Sequence, residues 1–342
     1  MHKIFPWYFE AKKCEKNCLL QYNYSIFANG RWNESPPKQN INIHNTKFMM
    51  KKLQLSVILL SVIALAFTGC KASSSKSAAI ADSTQANNAE TLVTDSFVSI
   101  QKGDSSLSCK VIVDYPTEPD SLSMAVREYI SQELAKNYLP YSDEESVANK
   151  YPKFSGDLSK GQALVDYYGK GNFKYLKEEQ AGIEPLAAVK PSLEYEAEIR
   201  KIGETATYIT YKTFTYNYQA GAHGATTEYA VNINKATRKV MAQTVDTLKV
   251  KEMQPLLRKG VLSYFKERGE KEVNEKNLNE YLFIENGIIP MPTKTPFLAK
   301  DGVHFIYQQY EIGAYAIGMV SFVIPYSDIK PYLTAEALKL TK

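Results

Sequence analysis

Between Leu193 and Arg200 the chain alternates strictly: Leu193, Tyr195, Ala197 and Ile199 are apolar, while Glu194, Glu196, Glu198 and Arg200 are charged. A two-residue period predicts a β-strand with one face in a core and the other in water. The same rhythm runs less strictly through LVTDSFVSI and LSCKVIVDYP, which read as two strands around the turn QKGDSS. After a turn at Gly203 and Glu204 come the Thr- and Tyr-rich TATYITYKTFTYNYQ and, beyond the glycines, TTEYAVNIN, for which antiparallel pairing is expected. Elsewhere the period lengthens. Pro119 and Asp120 open a segment where Leu122, Val126, Tyr129, Ile130 and Leu134 share a helical face, and a second helix is expected around 163–179, weakened by Gly169 and Gly171. KEMQPLLRKGVLSYFKERG puts Met253, Leu256, Leu257, Val261, Tyr264 and Phe265 on one side, the pattern of an amphipathic helix laid on a sheet. GVHFIYQQYEIGAYAIGMVSFVIPYSDIKPYL reads as two strands around a glycine-containing bend, then a short helix. Strand runs with a few interposed helices predict an α+β fold, with antiparallel sheets and helices packed on one face. Two small domains are expected, 91–218 and 219–342.

One apolar run fits neither rhythm. Leu53 to Phe67 is broken only by Gln54, Ser56 and Ser61, follows Lys51 and Lys52, and ends in Thr68, Gly69 and Cys70. That order suits an export signal, and the run is short for a membrane-spanning helix. Its end resembles the lipobox of bacterial lipoproteins, where small residues precede an obligatory Cys, although Phe67 stands where Leu is usual. On this reading 49–69 is a lipoprotein signal peptide and Cys70 is the lipid attachment point. Residues 70–90, rich in Ser, Ala and Asn, then form a flexible tether. The plainer alternative is a buried helix with Cys70 as a small core residue. An export signal works at a chain's start. Segment 1–48, without a sustained period, is therefore expected to be an upstream extension from a start codon assigned too early, with synthesis beginning at Met49 or Met50. The expected location is the bacterial cell envelope, anchored to a membrane on its outer-membrane, periplasmic or surface side.

This partition changes the charge. Residues 1–70 hold nine of the 41 Lys and Arg and three of the 37 Asp and Glu, which leaves 32 against 34, a formal −2, from Lys71 onward. A near-neutral chain argues against a nucleic-acid surface, which needs a concentrated basic face. Cys14 and Cys18 have no second pair nearby to complete a metal site. Cys109, in register with Leu107, Val111, Val113 and Tyr115, is expected to be buried and inert.

The stretch that most invites chemistry is YNYQAGAHGATTEY. Gly221 and Gly224 bracket His223, and flanking glycines would let the backbone take a positive φ and bring the imidazole to an exposed edge. A general base or metal ligand is one reading. The only other histidine after residue 70 is His304, however, and no H-E-x-x-H, G-x-S-x-G or P-loop occurs. No catalytic residue, metal or cofactor is assigned, and the chain is expected not to be an enzyme. Tyr218, Gly221, Ala222, His223 and Gly224 are the candidate contact residues. Tyr208, Tyr216, Tyr218 and Tyr229 could stack on sugar rings, but on a half-buried sheet they are more often ordinary strand residues.

TFTYNYQAGAHG, TTEYAVNINKATRKV, the helix through LLRKGVLSYF and YQQYEIGAYAIGMVSFVIPYSDIKPYL together resemble a bacterial extracytoplasmic domain, the domain-of-unknown-function family 3298. In that family a strand ends in Tyr, a Gly-Ala-His turn follows, and the last strand runs into Ile-Pro-Tyr. Residues 91–215 resemble more weakly the family 4163 domain, found also in a peptidoglycan deacetylase. The two together form the lysozyme-binding ectodomain of anti-sigma-V factors. The chain lacks the sigma-binding part of those factors and the deacetylase's metal-binding histidines. The resemblance therefore implies a non-catalytic binding fold, with a lysozyme-type muramidase as partner; the alternative it leaves is binding or processing of cell-wall glycan.

Overall fold

The structure, a computed structural model, describes residues 91–140 and 150–341; the expected extension, signal peptide, Cys70 and tether all lie outside the described residues. Strand β1 (Thr94–Lys102) pairs antiparallel with β2 (Leu107–Pro116). Helix α1 (Ser121–Lys136) follows, its N-terminus capped by the Asp120 carboxylate, which accepts from the Ser123 N–H at 2.8 Å. Then comes α2 (Gly161–Ile183). Strand β3 (Leu193–Glu204) returns alongside β2 in parallel, a departure from the all-antiparallel expectation. The helices intervening between β2 and β3 supply the crossover that parallel neighbours require. β4 (Tyr208–Gln219), β5 (Ala225–Asn234) and the short β6 (Lys239–Val240) complete an antiparallel run, giving a six-stranded sheet in sequence order.

Helices α1 and α2 cover one face of that sheet. Its inward residues, among them Val111, Val113, Tyr115, Ile199 and Tyr211, are buried in one apolar cluster with Leu122, Ile130, Leu164 and Leu176 of the helices. Gly169 and Gly171, expected to weaken α2, are instead places of close approach. A Cβ on Gly169 would stand 2.3 Å from Ser99 Oγ, and one on Gly171 would stand 1.9 Å from the Tyr138 hydroxyl. Cys109 is fully buried against the Gly169 carbonyl, and burial pushes its thiol up to about 12, so it is inert at neutral pH.

A second apolar cluster gathers around α3 (Gln254–Glu267), with Met253, Leu257, Val261 and Phe265 fully buried. The helix packs on a three-stranded antiparallel sheet of β7 (Phe297–Leu298), β8 (Val303–Ile306) and β9 (Ser321–Ile324), followed by α4 (Tyr326–Ile329) and α5 (Ala335–Leu340). The boundary expected at residue 218 falls at the end of β4, which pairs with β5 across it. The apolar clusters meet at that pair, Ile209 and Ile233 belonging to the first and Tyr208 to the second. Three amide side chains stitch the second cluster's segments to β5. Asn232 donates to the Leu298 carbonyl at 2.9 Å and accepts from its N–H at 2.7 Å. Gln308 does the same to the backbone of Glu228, and Gln309 accepts from the Thr226 N–H. Gln308 and Gln309 stand in for a neighbouring strand where β5 would otherwise show unpaired backbone groups, and Asn232, reaching out from β5, does the same for Leu298.

Candidate functional site

The turn between β4 and β5 lies at the outer end of the sheet, with Gly221, Ala222 and His223 exposed and Tyr218 half-buried. Its conformation is not the expected one. Neither flanking glycine has a positive φ; the left-handed residue is Ala220, at 55°. Gly224 is required by space instead, since a Cβ there would sit 2.3 Å from the Tyr216 ring.

His223 is held on three sides. Its ring stacks on Tyr315 with centroids 3.7 Å apart and planes at 20°. Nδ1 lies 3.0 Å from the Gly224 carbonyl and Nε2 lies 2.9 Å from the Tyr310 hydroxyl. A carbonyl only accepts, so the neutral ring carries its proton on Nδ1, and Tyr310 donates to Nε2. Tyr315 donates to the same Gly224 carbonyl at 3.0 Å, which fills both of that oxygen's lone pairs. The lone pair a general base would need is thus occupied. Tyr310 itself is half-exposed and has φ 66°, a conformation costing a bulky residue on the order of 1–3 kcal/mol. Tyr310 and Tyr315, five residues apart in QYEIGAY, carry no local signal of this role; the one hint in the sequence is a pair of tyrosines around a glycine at the expected bend.

The other residues considered part company. Tyr208 is buried in the second apolar cluster, and Tyr229 is buried with its hydroxyl on Glu133, so neither ring is free to stack on a sugar. His304 pairs with Asp301 at 2.8 Å, which holds that carboxyl below its usual range, and stacks on Phe297. Among the described residues no group of three or more His, Cys, Asp or Glu is placed to hold a metal ion.

The face of the six-stranded sheet opposite α1 and α2 carries a shallow groove of about 330 Å³ lined by Glu196, Glu198, Arg200, Lys212, Phe214 and Glu228. Its carboxylates are all paired. Lys110 bridges Glu196 and Glu198, Arg200 reaches Asp114 at 2.8 Å and Glu198 at 3.3 Å, and Lys212 lies 3.4 Å from Glu228. Burial pulls the Glu198 pKa upward, but hydrogen bonds from Lys110 and Arg200 outweigh it and leave the group below its usual value. A glycosidase acid needs the opposite shift.

Against known proteins, no curated sequence matches this chain. A crystal structure of a DUF3298-family member from Bacteroides fragilis is similar at a TM-score of 0.54 and 18% identity, covering 75% of this chain and 99% of that one; it shares the α+β fold. A DUF3298-family structure from Pseudomonas aeruginosa aligns at a TM-score of 0.47 and 12% identity over 73% of this chain and 97% of that one. Residues 227–327, from within β5 to within α4, match the family model described as a protein of unknown function, and over that range the chain carries a DUF3298 domain.

Proposed function

We propose that this chain is a lipid-anchored binding protein of the bacterial cell envelope, tethered through Cys70. Its contact surface is the turn from Tyr218 to Gly224 together with Tyr310 and Tyr315. The observation that carries the reading is Tyr310: half-exposed, in a strained backbone conformation, and braced by an exposed histidine. Strain kept at a surface with no core to fill suggests a group presented to something else. Rigid aromatic side chains with a polar tip suit a protein partner, because they offer contact area at low entropic cost. The partner class we favour is a lysozyme-type muramidase, on the Gly-Ala-His and Ile-Pro-Tyr resemblance. The charge-paired groove on the opposite sheet face supports binding over glycan hydrolysis.

Binding of the full chain to a lysozyme-type muramidase and to soluble peptidoglycan fragments, measured side by side, tests this. The expected result is binding to the enzyme, weakened up to about tenfold in His223→Gln, the scale of one hydrogen bond. Binding only to glycan, or glycan turnover that vanishes in His223→Gln, would replace the reading with the cell-wall alternative. Membrane release of Cys70→Ser, with loss of labelling by a palmitate analogue, checks the anchor.

A further inference from the structure

Between the C-terminal half of α1, the edge of β5 and residues 293–296 lies a cleft of about 350 Å³, at the lower end of the range of small-molecule sites, roughly 300–1,000 Å³. Its polar groups come from three distant parts of the chain. Tyr229 donates its hydroxyl to Glu133, whose other oxygen lies 3.5 Å from the Lys136 ammonium. Lys294 stands 4.3 Å from the centre of the Tyr229 ring, and Lys136 stands 5.5 Å from it. Among the described residues no carboxylate is within ion-pair distance of Lys294. Burial and the charge of Lys136 lower its pKa, although Glu133 and Glu311 pull the other way.

The cleft also holds an unsatisfied donor. Tyr129 is 8% exposed, and its hydroxyl makes no hydrogen bond. Burial raises the Tyr129 pKa, while the nearby Thr213 hydroxyl, itself without a hydrogen-bond partner, pulls it the other way. Two cations, one anion and the Tyr129 hydroxyl leave room for one more negative charge with lone pairs to share. Val240, Met241 and Pro296 supply an apolar wall opposite.

We propose that this cleft binds a small organic acid, with its carboxylate between Lys136 and Lys294, accepting from Tyr129, and its apolar body against Met241 and Pro296. A single carboxylate fits better than a phosphate dianion, because Glu133 already occupies one side and would repel a second charge. The site is separate from the surface at His223 and independent of what binds there.

The test uses the full chain with its lysines reductively methylated with carbon-13, a change that keeps their charge. Lys136 and Lys294 signals are assigned from Lys136→Arg and Lys294→Arg. Benzoate and acetate are the probes, and benzamide is the neutral control. Benzoate is expected to shift the Lys136 and Lys294 signals saturably and the other lysines little, and benzamide to leave them in place. Lys294→Gln should weaken benzoate at least tenfold, and Tyr129→Phe several-fold with the fold intact by circular dichroism. Failure of both acids to move these two signals, an equal response to benzamide, or unchanged benzoate affinity in Tyr129→Phe would overturn the proposal.

Discussion

On the outer face of the six-stranded sheet each carboxylate of the groove has a cation beside it, whereas under α1, near the β4–β5 end of the inner face, buried polar groups sit with partners missing. The outer groove is open to water, so its charges cost little to place and gain little by pairing. The inner face is closed, so each group there either satisfies a neighbour or carries an uncompensated cost. Charged residues are therefore weak evidence of a site on the wet face, and a single unpaired hydroxyl is stronger evidence on the dry one.

The sharpest way to break this comparison is to remove mass from each face in turn. Tyr211, fully buried with its hydroxyl on the Asp114 carbonyl at 3.0 Å, should cost about 3–5 kcal/mol as Tyr211→Ala in urea unfolding. A loss no larger than that of an outer-face charge variant would end the distinction. Next comes Tyr229→Phe, which keeps the ring and strips Glu133 of a buried donor; a loss of about 1–3 kcal/mol is expected, since the carboxylate is left under-solvated.

Glu198→Gln should cost at most about 1 kcal/mol at neutral pH. It also has a pH signature. The folded-state pKa of Glu198 lies below the unfolded value of 4.5, so its contribution is present above that pH and disappears as pH falls through the lower folded value. Melting temperatures recorded from pH 6 to pH 3 should therefore fall less steeply for Glu198→Gln than for the wild type, and parallel curves would show the pair to be inert. The smallest effect is the most diagnostic: Tyr129→Phe deletes a hydroxyl with no partner and should be neutral or slightly stabilising without ligand. A loss above about 1 kcal/mol would mean the hydroxyl is satisfied after all.

These contrasts also explain what the sequence could reveal. The Leu–Glu alternation of β3 and the apolar face of α3 are local periodicities, and both appear where expected. The antiparallel default missed the β2–β3 pair because strand direction depends on what lies between the strands. The glycines of α2 read as weakness because their reason, the nearness of Ser99 and Tyr138, lies elsewhere in the chain. Of the candidate surface, the turn from Tyr218 to Gly224 was legible, but its braces, Tyr310 and Tyr315, are nearly ninety residues farther on. The cleft was not legible at all. Glu133, Tyr229 and Lys294 are each unremarkable in their own segments, and only the fold makes them neighbours.

The Gln308 and Gln309 side chains on β5 have a consequence for assembly. A sheet that propagates from molecule to molecule needs two adhesive edges, one to add to and one to be added to. Here one edge is already occupied by amides of the same chain, which a foreign strand would have to displace. Among the described residues that leaves the two-residue β6 and β1, along which one amide, that of Gln162, donates to the Val98 carbonyl at 3.1 Å. Two copies joined β1 to β1 would consume both of those long borders at once, leaving only the two-residue β6 and the amide-covered β5 for any further strand.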